Sequence, residues 1–191
     1  MTKPKNTPKL IGLTGYAGTG KDTVRHILEL RGYVGMAFAE PIRGMLRELL
    51  SSNGIDDSYM TERDRKEVII PALGVSYRHL AQTLGTEWGR SLAPDFWLRI
   101  AGAFMDDVAW ANHGCQFVVS DVRFENEAAW VKQRGGVIWR IERQQANPVR
   151  QHVSETGMDA IECDQVIFNE GTLDELESLV DCALEATPCP K

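Results

Sequence analysis

The segment Gly15-Tyr16-Ala17-Gly18-Thr19-Gly20-Lys21 fits the spacing G-x-x-x-x-G-K. That spacing suits one task, holding the phosphates of a nucleoside triphosphate. Glycine lets the backbone turn tightly and brings its N–H groups onto phosphate oxygens. A helix starting just after the turn adds the positive end of its dipole. Lys21 adds a mobile point charge for the β and γ phosphates. The expected ATP-binding residues are Gly15, Gly18, Thr19, Gly20, Lys21, Asp22 and Thr23. One position departs from the usual pattern, because Asp22 stands where a serine or threonine normally follows the lysine. The hydroxyl that would ligate Mg2+ is displaced to Thr23. Either Asp22 meets the metal, directly or through water, or Thr23 substitutes; Asp22 is the preferred reading.

A phosphate loop alone does not separate kinases from switches and motors. A switch GTPase needs N-K-x-D and D-x-x-G, and the chain has neither. A remodelling ATPase usually carries an acidic pair after its second motif strand, whereas Asp121 is followed by Val122 and Arg123. A small kinase needs cations that hold two phosphates together against their mutual repulsion. Arginine forks do this bidentately. Arg43, Arg47, Arg78, Arg90, Arg99 and Arg123 fall near expected helix starts or strand ends, and Arg43 and Arg47 share a helix face. Lys21, Arg78 and Arg123 are the candidate catalytic residues. No strong base is required, since a monophosphate oxygen is already an anionic nucleophile.

Alternating short apolar strands and amphipathic helices would position these groups. Leu10 to Leu13 reads as a buried strand ending at Gly15, and Val24, Ile27 and Leu28 as the inner face of a helix ended by Gly32. Val34–Phe38 reads as a second strand. Pro41 opens a helix with Ile42, Met45, Leu46, Leu49 and Leu50 inward. Ser76 is a helix cap for a helix through Leu84, and Asp95 caps a longer helix with Trp97, Ile100, Ala101, Phe104 and Val108 inward. Strands are expected at Phe117–Ser120, Val137–Ile141 and Val166–Phe168, and a helix at Phe124–Arg134. Thr172 and Glu175 form a capping box before a last helix facing inward through Leu176, Leu179, Val180 and Leu184. The pattern implies an α/β protein with a parallel sheet covered on both faces. Gly15, Asp121 and Asn169 all fall at carboxyl ends of strands, where such sheets bind ligands.

At 191 residues the chain is expected to form a single domain, with a tail at 1–8, a flap-like insertion at 51–75 and a second tail at 185–191. The polar stretches 51–67 and 142–155 are candidates for closing over ATP and excluding water, with Arg143 and Arg150 reaching it. The net charge of −6 argues against a general nucleic-acid binder. Cys115, Cys163, Cys182 and Cys189 form no metal-binding spacing and read as reduced thiols of a cytoplasmic protein. No signal peptide or membrane-spanning run is expected. His79, His113 and His152 lack a partner pattern and are given no catalytic role.

Several blocks together resemble the bacteriophage deoxynucleoside monophosphate kinases. They are GYAGTGKDT at Gly15–Thr23, Ala39-Glu40-Pro41-Ile42-Arg43, and R-x-L-x-Q-x-L-G-T-E from Arg78 to Glu87. Trp97, Asp121-Val122-Arg123 with Glu127, His152-x-x-Glu155 and Asn169-x-Gly171 also fit, so the likeness runs from about Leu10 to Leu184. It implies a P-loop NTPase, adenylate-kinase-like three-layer fold with a five-stranded parallel sheet in the order 2-3-1-4-5. It also implies ATP with Mg2+ as donor, and a deoxynucleoside monophosphate as acceptor. Substrate-binding residues by the same resemblance are Ile42, Arg43, Arg78, Gln82, Gly85, Trp97, Asp121, Arg123 and Glu127. Trp97 reads either as a base-stacking ring or as a core tryptophan. Asp121 either orients a sugar hydroxyl or metal-bound water, or caps the next helix. Glu127 either accepts from the N–H edge of a base or is a helix surface charge. Ala17 and Gly18 stand where some family members carry basic residues. A small-metabolite kinase of the dephospho-coenzyme A or phosphomevalonate type, and a non-catalytic ATP-binding protein, stay open as alternatives. So does a homodimer. The resemblance points to a phage gene expressed in an infected bacterial cytoplasm.

Overall fold

The computed structural model describes residues 7–144 and 158–186. Arg150, His152, Glu155 and Cys189 lie outside those residues. In chain order the elements are β1 (Leu10–Thr14), α1 (Lys21–Leu30), β2 (Tyr33–Met36), α2 (Glu40–Ser52), α3 (Ser58–Thr61), β3 (Ile69–Ile70) and β4 (Val75–Ser76). There follow α4 (Tyr77–Gln82), a π-helical stretch Thr83–Gly89, α5 (Arg90–Leu92), α6 (Phe96–Ala111), β5 (Gln116–Val119), α7 (Glu125–Gln133), β6 (Val137–Glu142), β7 (Gln165–Phe168) and α8 (Leu173–Ala186). The chain divides into two compact units, residues 38–101 and the remainder.

In the larger unit, five parallel strands lie in the order β2-β5-β1-β6-β7. Counting only these strands, the order is 2-3-1-4-5, as the resemblance implied. The centre is β1, whose five residues are all buried, the condition of a strand covered on both faces. On one face Ile11, Leu13, Trp139 and Ile141 pack against Val24 and Leu28 of α1 and Leu176 and Val180 of α8. Arg31 bridges these two helices through Asp181 at 3.0 Å and Glu177 at 3.4 Å. On the other face, side chains of Val122, Val131 and Ile138 close over Gly12, so that α7 can lie against β1 and β6. Glu175 and Thr172 cap α8 reciprocally, as expected: the Thr172 N–H donates to Glu175 Oε2 at 2.7 Å, and the Glu175 N–H to Thr172 Oγ1 at 3.3 Å. Leu179 lies outside the inner face of α8 and is exposed.

The smaller unit has its own core of Ile42, Leu46, Leu50, Met60, Ile70, Tyr77 and Trp97. Two helix readings are corrected here. On α2 the inner face is the i, i+4, i+8 row Ile42, Leu46 and Leu50, while Met45 and Leu49 are exposed. On α6, Trp97, Leu98, Ala101 and Met105 are buried, and Phe104 points out. Both helices bury a narrower stripe than their apolar residues suggest. The stretch read as a polar flap carries α3, a 3₁₀ turn at Arg63–Arg65 and the β3–β4 hairpin. Met60 and Ile70 anchor it in the core; two isolated apolar residues give no periodicity to read. Among the described residues no helix is long and apolar enough to cross a membrane.

Candidate active site

The phosphate loop is the turn between β1 and α1, at the carboxyl edge of the sheet. Its glycines are sterically required. Gly15 has φ +135°, and a Cβ there would fall 2.3 Å from the Ile141 carbonyl oxygen. Gly20 has φ +101°, and its Cβ would fall 2.3 Å from Nδ2 of Asn169. Within the loop, the Thr19 hydroxyl donates to the Tyr16 carbonyl at 3.0 Å. The Lys21 ammonium folds over it and donates to the carbonyls of Gly15 and Tyr16, at 2.6 and 2.7 Å. From the turn after β7, the Asn169 amide donates to the Thr19 carbonyl at 2.9 Å. Asp22 and Thr23 are exposed on the first turn of α1.

Beside the loop lies a cleft of about 360 Å³, lined in part by Tyr16, Arg140, Arg143, Met158, Asp159 and Phe168. That volume is at the small end of the roughly 300–1,000 Å³ of small-molecule sites. The Tyr16 hydroxyl reaches both carboxylate oxygens of Asp159 at 2.9 Å. Arg140 donates to the carbonyls of Met158 and Ile161, both at 2.9 Å, and so fixes the wall that carries Asp159.

Asp121, Arg123 and Glu127 belong to the turn from β5 into α7, at the same edge of the sheet. Asp121 and Arg123 are half-buried. Glu127 is only 4% exposed, which excludes the surface-charge reading. Its Oε2 accepts the backbone N–H groups of Arg123 at 2.8 Å and Phe124 at 3.1 Å. The carboxylate therefore fixes the main chain from which the Arg123 side chain projects.

In the smaller unit the structure joins three of the expected residues. Ile42 Cδ1 lies 2.9 Å from where a Cβ on Gly85 would sit, and the Trp97 indole N–H donates to the Gly85 carbonyl at 2.7 Å. Trp97 is 5% exposed, with its ring against Gly89 and edge-on to Phe96. In this conformation the ring is packed in the core and supports the π-helical stretch. Such widened turns displace carbonyls from the regular ladder, and Trp97 takes up one of them. Arg78 forms an ion pair with Glu67, Nε to Oε1 at 2.5 Å, without hydrogen-bond alignment. Arg43 pairs with Glu40 at 3.2 Å. Gln82, on the last turn of α4, is half-buried. Buried Tyr77 has its phenol pushed above the usual range by desolvation, against the opposing fields of Arg43 and Arg47.

No sequence pattern signals the Tyr16–Asp159 contact, which joins residues 143 positions apart, or the Arg78–Glu67 pair. The reading from Ser76 ends a helix at Leu84, whereas the structure carries a π-helical stretch on to Gly89.

A glycine-rich loop between a buried central parallel strand and a helix, with a lysine at its exit, defines the class: an α/β P-loop nucleotide-binding protein. The family model for deoxynucleotide monophosphate kinase matches residues 65–180, more than half of the chain, and the chain belongs to that family. A relative from Acanthamoeba polyphaga mimivirus, named "Putative deoxynucleotide monophosphate kinase", is 28% identical over 93% of this chain and 97% of its own length. The deoxynucleotide monophosphate kinase of Escherichia phage RB69 is 30% identical over 56% of this chain and 43% of its own. Among solved structures, TT1252 from Thermus thermophilus covers 95% of this chain and 99% of its own, with TM-score 0.50 and 18% identity, a likeness of fold alone.

Proposed function

We propose that the chain transfers the γ-phosphate of ATP to a deoxynucleoside 5′-monophosphate, giving the diphosphate and ADP. The observation that carries this reading is a G-x-x-x-x-G-K phosphate loop with Lys21 in a chain that belongs to the deoxynucleotide monophosphate kinase family. An anionic oxygen of the acceptor phosphate attacks the γ phosphorus. The bond from that phosphorus to the β–γ bridging oxygen breaks, and ADP leaves. The chain's task is to position and to neutralise charge.

The loop backbone from Gly15 to Gly20 receives the phosphates of ATP, and Lys21 turns from the loop carbonyls to their oxygens. The cleft beside Tyr16 and Phe168 suits the adenosine part, and Arg143 on its wall suits phosphate. Arg78 and Arg123 clamp the acceptor phosphate or the group in transfer. Arg43 and Gln82 contact the acceptor, and Ile42 and Gly85 shape its site with Trp97 behind them. Asp121 orients the sugar or a metal-bound water, and Glu127 holds Arg123 in place. Mg2+ arriving with ATP would offset the charge of the phosphates. Among the described residues no group of three or more His, Cys, Asp or Glu side chains could hold a metal. Mg2+ is commonly held by one or two side chains plus phosphates. Asp22, with Thr23 as the substitute, is the proposed contact for the metal.

The test is ADP release with MgATP against dGMP, dTMP, dCMP, dAMP and their ribose counterparts. Stimulation by a deoxy acceptor, reduced about a thousandfold in Lys21→Ala, is the expected result. ATP binding with no stimulation by any nucleotide rejects the reading in favour of another acceptor or a binding role.

A further inference from the structure

We propose that Asn169 is a positioning residue for the phosphate loop: its amide holds the Thr19–Gly20 peptide in the orientation that receives ATP. Its catalytic consequence rests on the kinase reading above; its effect on ATP binding does not. Two independent features of the structure point to it.

The first is the hydrogen bond. Asn169 is 7% exposed, sits just after β7, and donates from Nδ2 to the Thr19 carbonyl at 2.9 Å across 150 residues of sequence. A trans peptide is planar, with its C=O and N–H on opposite sides, and the chain has no cis peptide among the described residues. Holding the Thr19 carbonyl toward Asn169 therefore aims the Gly20 N–H the opposite way. A phosphate loop needs that N–H turned to the ligand.

The second is the space. A Cβ on Gly20 would meet Nδ2 of Asn169 at 2.3 Å. The glycine thus admits both the left-handed turn and the amide that steadies it. Gly20 is the N-cap of α1 and can offer no side chain to cap it. Asn169 is itself seated by its backbone N–H on the Glu142 carbonyl at 2.8 Å. Strands β6 and β7 thereby set where the amide stands.

The experiment uses the full-length protein and two variants. Asn169→Asp keeps the shape and removes the donor; Asn169→Ser is too short to reach and adds no charge. A fluorescent N-methylanthraniloyl ATP gives the donor Kd, and steady-state kinetics give the KM of each substrate. Both variants should bind the ATP analogue about tenfold more weakly, as expected for a lost hydrogen bond to a binding backbone. The acceptor KM should stay within about twofold, and the melting temperature close to wild type. Unchanged ATP affinity in either folded variant overturns the proposal. So does an equal rise in both KM values with a matching fall in melting temperature, or loss of the fold in both variants, since each assigns Asn169 to the fold alone. If wild type shows no acceptor-stimulated ADP release, the kinase reading fails, while the ratio of ATP affinities still judges Asn169.

Discussion

The phosphate loop and the segment Thr83–Trp97 are both turns that present backbone, and they are held in different ways. The loop is shaped by positive-φ glycines, and at Gly15 and Gly20 a backbone carbonyl and an amide leave no room for a Cβ. The Thr83–Gly89 stretch rests on a buried side chain, Trp97, through its indole N–H and its ring. A loop fixed by main-chain sterics tolerates almost no substitution. A turn fixed by a side-chain prop can be retuned by changing the prop. Donor binding, common to all P-loop kinases, is proposed for the first kind of structure. Acceptor choice, which varies between kinases, is proposed for the second.

Gly20→Ala tests the contrast most severely. The φ of +101° strains any Cβ, and Asn169 stands in its way. A residue held in such a conformation costs about 1–3 kcal/mol. The expected result is a rise in ATP KM of about a hundredfold, with acceptor affinity unchanged in a direct titration. Equal loss of both affinities would break the distinction between the two turns.

Trp97→Phe tests the other side. It keeps a ring but leaves the Gly85 carbonyl without its donor, at a cost of about 1–3 kcal/mol. The acceptor KM should rise about fivefold to tenfold, with the ATP KM unchanged and the melting temperature lower by several degrees. A change in ATP KM alone would assign Trp97 to the wrong substrate.

The smallest effect concerns Tyr77, in the core beneath Arg43 and Arg47. Burial raises its pKa above the ordinary 10.0, so the folded chain keeps this proton to higher pH than the unfolded chain does. The contribution to stability is whole below about pH 10 and is lost as pH rises through the folded value. Urea unfolding from pH 9 to 11 should show a steeper alkaline loss in wild type than in Tyr77→Phe. Parallel curves would mean that the phenol is not desolvated in solution.

Much of the donor side was legible in the sequence because its rules are local. G-x-x-x-x-G-K, a preceding apolar run and a following helix all fall within Leu10–Leu30. The strand alternation gave the α/β class, and the family blocks gave the sheet order. The boundaries of α1, α7 and α8 followed from Gly32, Gly135 and the Thr172–Glu175 box. The smaller unit was less legible. Beyond α2, its core takes single residues from several elements, and a π-helical stretch has no distinct hydrophobic period.

The sequence by itself determined that a glycine-rich turn of the phosphate-loop type follows a buried strand, since glycines at this spacing, between an apolar run and a helix, admit the left-handed backbone the turn needs. The tertiary structure alone decided what holds the loop and the turns around it. It placed Asn169 on the Thr19 carbonyl, Glu127 on the Arg123 backbone, Asp159 on Tyr16 and Trp97 on Gly85. Hydrogen bonds of this kind, except the nearby Glu127 contact, join residues that only folding brings together. Their geometry depends on strand register and helix packing, which residue type does not specify.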